Sequence, residues 1–371
     1  MNPLHKSVLK LASAPIWNMK VLYPFVRRAQ KLRSARERSK SPERRFDTYD
    51  RQVYATDEQG RTREIKLRVF HPEQRKDERA VLFFHGGGFV LGDIDSYSPF
   101  CFSLADALGM EVYSAEYRLA PEYPYPAAFD DCFLLTRMAV EHPGFLGLKD
   151  RSQLILAGDS AGGELAMACS LRLREEGLPQ AGQMILFYPS AWWDYSEHSP
   201  FASVHELGKD YGLTIDKLRA YLDLYVPDIR KRMDPYVAPL LATDFSGLAP
   251  MLLFTAELDP LRDEGEALGH CLEQAGNEVQ RYRVKEAVHG YLTNGINIPL
   301  FEATLKKCRE LLNPAKEPVK IKASSQEKTM LAGEEPVKER KAGCVRKAEK
   351  IAEKAKNFGD KTDATAAEAN S

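Results

Sequence analysis

The chain has 371 residues, enough for one large α/β domain with appendages or for two average domains. With 52 Lys and Arg against 53 Asp and Glu the formal net charge is −1, so whole-protein charge points to no nucleic-acid partner. No apolar run is long enough to span a bilayer, and Lys6, Lys10, Pro15, Lys20 and Pro24 interrupt the apolar patches of the N-terminus. No secretory signal is read, and a cytoplasmic protein is expected.

The six cysteines, Cys101, Cys132, Cys169, Cys271, Cys308 and Cys344, are scattered and form no C-x-x-C pair. That spacing fits a reducing compartment, with thiols acting as small buried apolar groups.

In chain order, residues 1–48 form a basic arm. It reads either as a solvated helical arm or as an attachment to an acidic surface such as a membrane or a partner. From Glu64 to Val69 polar and apolar residues alternate, as in an antiparallel strand. Short apolar runs then recur at Ala80–Phe84, Glu111–Tyr117, Gln153–Ala157, Met184–Tyr188, Met251–Ala256 and Glu278–Val284, with helical stretches between them. Near-continuous apolar runs read as strands buried on both faces. Their alternation with helices predicts a mostly parallel central sheet flanked by helices, over residues 49–312.

The interval from Tyr188 to Met251 is too long for a simple crossover. An insertion at about 190–240 is expected to form a helical lid or cap. Thr214 should N-cap a helix from Asp216 to Tyr225, with Pro227 and Pro235 beyond its end. Residues 313–371 are rich in Lys, Glu and Ala and read as a disordered charged tail, with a thin-striped helix at most over Val345–Lys356.

Three signals carry chemistry. Gly158-Asp159-Ser160-Ala161-Gly162 follows an apolar run and fits the G-x-S-x-G nucleophile elbow. Small residues two positions either side of the serine let a sharp strand-to-helix turn form without a clash. His85-Gly86-Gly87-Gly88 follows the run Ala80–Phe84, and its N–H groups can aim at an oxyanion. A phosphate loop is the alternative, but neither G-x-x-x-x-G-K-[ST] nor G-x-G-x-x-G is present. Asp259 and His289 each follow a predicted strand, where an open α/β sheet places its ligands. The order Ser160, Asp259, His289 is that of the α/β-hydrolase fold, whereas His85 precedes the serine and reads as a loop-shaping residue. Glu257 and Asp263 compete for the acid role. The first lies too close to its strand and the second in the first turn of a helix.

With these motifs in place the chain resembles the hormone-sensitive-lipase-like family of α/β-hydrolases, in its bacterial esterase branch. The resemblance rests on His85-Gly86-Gly87-Gly88, Tyr117-Arg118-Leu119-Ala120-Pro121-Glu122, Gly158-Asp159-Ser160-Ala161-Gly162-Gly163, Asp259-Pro260-Leu261-Arg262-Asp263 and His289-Gly290. It implies a serine esterase with oxyanion donors at Gly87, Gly88 and Ala161. It also implies a cap built from the N-terminus and the insertion, and substrates that are short acyl esters. Glu164 stands where many relatives carry Asn, and Tyr291 where Phe is commoner. Trp192, Trp193 and Tyr195 read as aromatic walls of the acyl pocket or as core under the cap. The mechanism calls for no metal and no cofactor. The expected partner is a small-molecule ester, and a homo-oligomer remains open. The same fold serves non-catalytic small-ligand receptors, which lack the third triad member. His289 therefore favours an enzyme.

Overall fold

The computed structural model describes residues 3–14, 18–40, 48–57, 60–295 and 297–313. The tail beyond, with the helix expected at Val345–Lys356, lies outside the described residues, as does Cys344. The other five cysteines are free thiols.

The strands are β1 (Thr48–Thr56), β2 (Thr62–Phe70), β3 (Ala80–Phe84), β4 (Glu111–Glu116), β5 (Leu154–Asp159), β6 (Gln183–Phe187), β7 (Met251–Leu258) and β8 (Val279–Val288). They form one sheet in the order β1-β2-β4-β3-β5-β6-β7-β8. Both pairings of β2 are antiparallel, and all pairings from β4 across to β8 are parallel. Each apolar run read from the sequence coincides with a strand, overrunning it by one residue at most. β1 was not read, and its burial pattern explains why. It is an edge strand in which only Val53 and Ala55 are buried, so its polar residues hide the alternation.

The helices are α1 (Pro3–Ala12), α2 (Met19–Lys40), α3 (Ser98–Leu108), α4 (Ala127–Glu141), α5 (Ala161–Glu175), α6 (Ala202–Leu207), α7 (Ile215–Tyr225), α8 (Arg262–Gln274) and α9 (Ile298–Leu312). The central strands are apolar on both faces. Leu82, Phe84 and Leu156 pack towards α4, α5 and α8, while Val81, Phe83 and Ile155 pack towards α3 and α9. Every residue of β5 is buried, which fixes the strand that leads to Ser160.

The segment between β6 and β7 holds α6 and α7. Thr214 caps α7 as its sequence suggests, its hydroxyl accepting from the Lys217 N–H at 3.3 Å. The N-terminal helices dock beside it. The Ser13 hydroxyl oxygen accepts from the Gly212 N–H at 2.8 Å, and Lys217 Nζ donates to the Ala12 carbonyl at 2.8 Å. Lys20 pairs with Asp223 at 2.5 Å. Arg27 is the main clamp on α2. Its Nε donates to Val90 O and its Nη2 to Ala120 O, both at 2.6 Å, while Nη1 reaches both Glu122 oxygens at 2.9 Å.

Arg27→Ala should therefore cost about 1–3 kcal/mol in urea unfolding, because two carbonyls lose a charged donor. Trypsin should also cut α2 faster. Arg27→Lys should recover only part of both, since an ammonium cannot reproduce the planar fork. Unchanged stability and unchanged proteolysis would show that α2 is held elsewhere.

Candidate active site

The nucleophile elbow is built from close backbone approach. Ser160 has φ +53 and ψ −121, a conformation a non-glycine residue holds only when its surroundings enforce it. A Cβ on Gly162 would lie 2.0 Å from the Phe84 carbonyl oxygen, and one on Gly158 would lie 2.2 Å from the Gly162 carbonyl oxygen. The turn closes only because both positions lack a side chain. The Ser160 N–H donates to Phe187 O at 2.9 Å, which ties the elbow to the next strand.

Asp259 follows β7 and His289 follows β8, at the carboxyl edge where β5 delivers Ser160. His289 Nδ1 lies 2.7 Å from Asp259 Oδ2, and His289 Nε2 lies 2.8 Å from Ser160 Oγ. A carboxylate facing Nδ1 keeps the proton on that nitrogen, so Nε2 accepts from the serine hydroxyl. Asp259 is fully buried, and its other oxygen accepts from the Leu261 N–H at 2.9 Å. The Tyr188 ring meets the imidazole edge-on at 5.0 Å. The two competing acids are engaged elsewhere. Asp263 accepts from the Ser203 N–H, and Glu257 accepts from the Glu286 N–H, each at 2.8 Å.

The glycine loop faces the same cavity. Gly87 and Gly88 have φ +117 and +62, and a Cβ on Gly88 would strike the Tyr221 ring at 2.5 Å. Gly87, Gly88 and Ala161 line a cavity of about 880 Å³ together with Ser160 and His289. Their N–H groups find no acceptor among the described residues. His85 lies to the side, stacked on Tyr117 at 4.3 Å with Nδ1 2.8 Å from Gly86 O. Burial holds its pKa down at about 4, so it stays a neutral spacer under the loop.

Asp159 binds loop to elbow, a role not evident from the sequence. Its Oδ1 accepts from the Gly86 N–H at 2.7 Å, and its Oδ2 accepts from the Tyr97 hydroxyl at 3.1 Å. Burial pushes its pKa up to about 6. The signal available was an acid inside an all-apolar strand end with no neighbouring base.

Of the three expected aromatics, Trp192 and Tyr195 line the cavity. Trp193 does not. It packs against Trp192 at 6.2 Å with the residues around α8, because neighbours in a non-helical segment project to opposite sides. Sequence reading also missed Leu218, Tyr221 and Leu222 of α7, which complete that wall. Their helical spacing reads as ordinary core packing.

Glu164 lies one turn below Ser160 in the cavity wall and is 2% exposed. Its Oε2 accepts from the Ser190 hydroxyl at 2.6 Å, and its Oε1 finds no partner. Glu264 nearby accepts from the Ala191 N–H and the Tyr195 hydroxyl through one oxygen, and its Oε2 is likewise unpartnered. Burial pushes both carboxyls well above the usual range, and the charge of Glu264 adds to the effect on Glu164.

The stability consequence has a definite sign. Between the unfolded pKa of about 4.3 and the raised folded value, the native state holds a proton that the unfolded chain has lost. Stability supplied by Glu164 is thus present at low pH and falls as pH rises through that window. The Tm of Glu164→Gln relative to the parent should increase from about pH 5 upward, levelling off above the folded pKa. A difference in Tm that stays constant with pH would contradict a raised carboxyl.

The fold and the Ser160–His289–Asp259 geometry define the class as an α/β-hydrolase. Comparison of the sequence with known families agrees, matching residues 81–293 to a family described as alpha/beta hydrolase fold. The chain belongs to this family, in its hormone-sensitive-lipase-like branch of bacterial esterases. It is 37% identical to Esterase LipI of Mycobacterium tuberculosis over 62% of this chain and 71% of that protein. It is 34% identical to an arylesterase of Saccharolobus solfataricus over 62% of this chain and 73% of that one. Among solved structures, the hyperthermophilic esterase of Pyrobaculum calidifontis superimposes with a TM-score of 0.70 at 28% identity, covering 83% of this chain and 96% of the other.

Proposed function

We propose that this chain is a carboxylic ester hydrolase in which Ser160 is acylated, His289 is the general base and acid, and Asp259 orients the imidazole. The observation that carries this reading is the unbroken hydrogen-bond chain from Asp259 through His289 to Ser160 Oγ, opening on a cavity. The activities named for the similar bacterial and archaeal esterases support it.

His289 Nε2 takes the hydroxyl proton as Ser160 Oγ attacks the ester carbonyl carbon. Asp259 stabilises the imidazolium that forms. The carbonyl oxygen, now negative, is held by the N–H groups of Gly87, Gly88 and Ala161, each such donor contributing about 10²–10³ in rate. Collapse expels the alcohol, which takes the proton from His289. Water then adds to the acyl-enzyme with His289 again as base; the carboxylic acid leaves as the imidazolium returns its proton to Ser160 Oγ, which regenerates the serine. A non-catalytic receptor has no use for the imidazole contact to the serine.

In the same reading the N-terminal helices and the 190–240 segment form a cap. The acyl group lies between Trp192, Tyr195 and Tyr221, and the preferred acyl chains are short. The aromatic wall and the buried Glu164 limit the space beneath Ser160.

Ser160→Ala should lower kcat by about 10⁴–10⁶ with Tm little changed. Near-normal turnover by the purified variant would sink the assignment. In a series of p-nitrophenyl esters, kcat/KM should fall for acyl chains beyond about eight carbons, because a walled pocket has finite volume. A rise towards long chains would overturn the short-acyl reading while leaving the hydrolase intact.

A further inference from the structure

The outer face of α2 has no role in the hydrolase reading. Met19, Tyr23, Val26, Gln30 and Ser34 form the inward row, spaced as one side of a helix. Val21, Phe25 and Leu32 lie on the opposite row, 62%, 69% and 64% exposed. Val8 and Leu11 of α1 are exposed as well, so these two helices carry five of the ten large apolar side chains exposed among the described residues. That concentration is not the scatter of single apolar residues found on ordinary surfaces.

The polar residues beside the stripe are cationic. α2 contains eight Lys and Arg against one acid, Glu37. Arg27 and Lys20 are used in holding the helix down, but Arg28, Lys31 and Arg36 make no ion pair with the described residues. Within residues 1–45 there are twelve Lys and Arg and two Glu, although the whole chain is nearly neutral. An exposed apolar row edged by unpaired cations is the pattern of a helix lying in the plane of an anionic lipid interface. A second copy of this chain fits less well. A two-fold contact on this face would bring two identical cationic sets together and offer neither an anionic partner. No helix among the described residues is long and apolar enough to cross a membrane.

We propose that α2 docks this protein on an anionic lipid surface, with Val21, Phe25 and Leu32 inserted among the acyl chains and Arg28, Lys31 and Arg36 at the headgroups. The inward row of the same helix, through Gln30 and Ser34, lines the cavity that holds Ser160. Docking therefore sets the rim of that cavity about 10 Å, one helix diameter, from the bilayer. Lipid binding itself does not depend on the hydrolase reading.

The test is co-sedimentation of the full chain with phosphatidylcholine vesicles made with and without phosphatidylglycerol, at low and high salt. The protein should partition into the anionic vesicles at least about tenfold more strongly than into neutral ones, and salt should weaken binding by screening the headgroup attraction. Phe25→Ser with Leu32→Ser, and separately Arg28→Glu with Lys31→Glu, should each lower the partition about tenfold or more. Circular dichroism and Tm like the parent's would show that the variants are folded. Failure of the parent to bind anionic vesicles at low salt overturns the proposal, as does binding by folded variants equal to the parent's. Sedimentation velocity adds one more outcome. A dimer abolished by Phe25→Ser with Leu32→Ser, in a protein that ignores vesicles, would assign this face to a second copy and overturn the lipid proposal.

Discussion

The structure of the site depends on how closely α5 crosses the end of β3. Gly162 passes so near Phe84 that a single methyl group there would overlap the strand's last carbonyl. Because β3 ends at that point, the glycine loop starts beside the start of α5. The crossing therefore sets the positive φ of Ser160 and also places the N–H groups of Gly87, Gly88 and Ala161 around one cavity. Asp159 secures the arrangement by accepting from the Gly86 N–H, which ties the loop to the elbow. Preorganisation of this kind is what makes hydrogen-bond donors effective at a developing charge.

Around this crossing the protein buries four carboxyl groups, those of Asp159, Glu164, Asp259 and Glu264. Only Asp259 faces an ionisable base, His289. The others are held by N–H and hydroxyl groups, an expensive arrangement that favours their protonated forms. Glu164 and Glu264 are the most exacting of them, since each keeps one buried oxygen without a partner.

α2 joins two environments. Its inner row reaches the cavity rim, and its outer row presents apolar and cationic side chains to the exterior. The Arg27 fork fixes the helix to Val90 at the end of the glycine loop and to Ala120 and Glu122. A displacement of α2 would thus be felt at the loop that shapes the oxyanion site.

Much of this was legible in the sequence because it depends on local pattern. Strands β3 to β7 are short, largely buried runs and β2 a polar–apolar alternation, patterns set within each segment, and the Thr214 cap depends on a contact three residues away. The elbow and the glycine loop were visible because only glycine tolerates their backbone, so geometry leaves a mark on residue identity. The chain order of Ser160, Asp259 and His289 followed from the fold they imply. Other features have no local mark. β1 is polar because it is an edge, and its pairing with β2 is a fact of the sheet. Trp192 and Trp193 are adjacent and chemically identical, and only the folded segment turns one towards the cavity and the other away. The contacts of Asp159 with Gly86 and Tyr97 span 73 and 62 residues, and those of Glu164 with Ser190 span 26. Burial and long-range hydrogen bonding decide what such acids do, and both come into being only when the chain closes on itself.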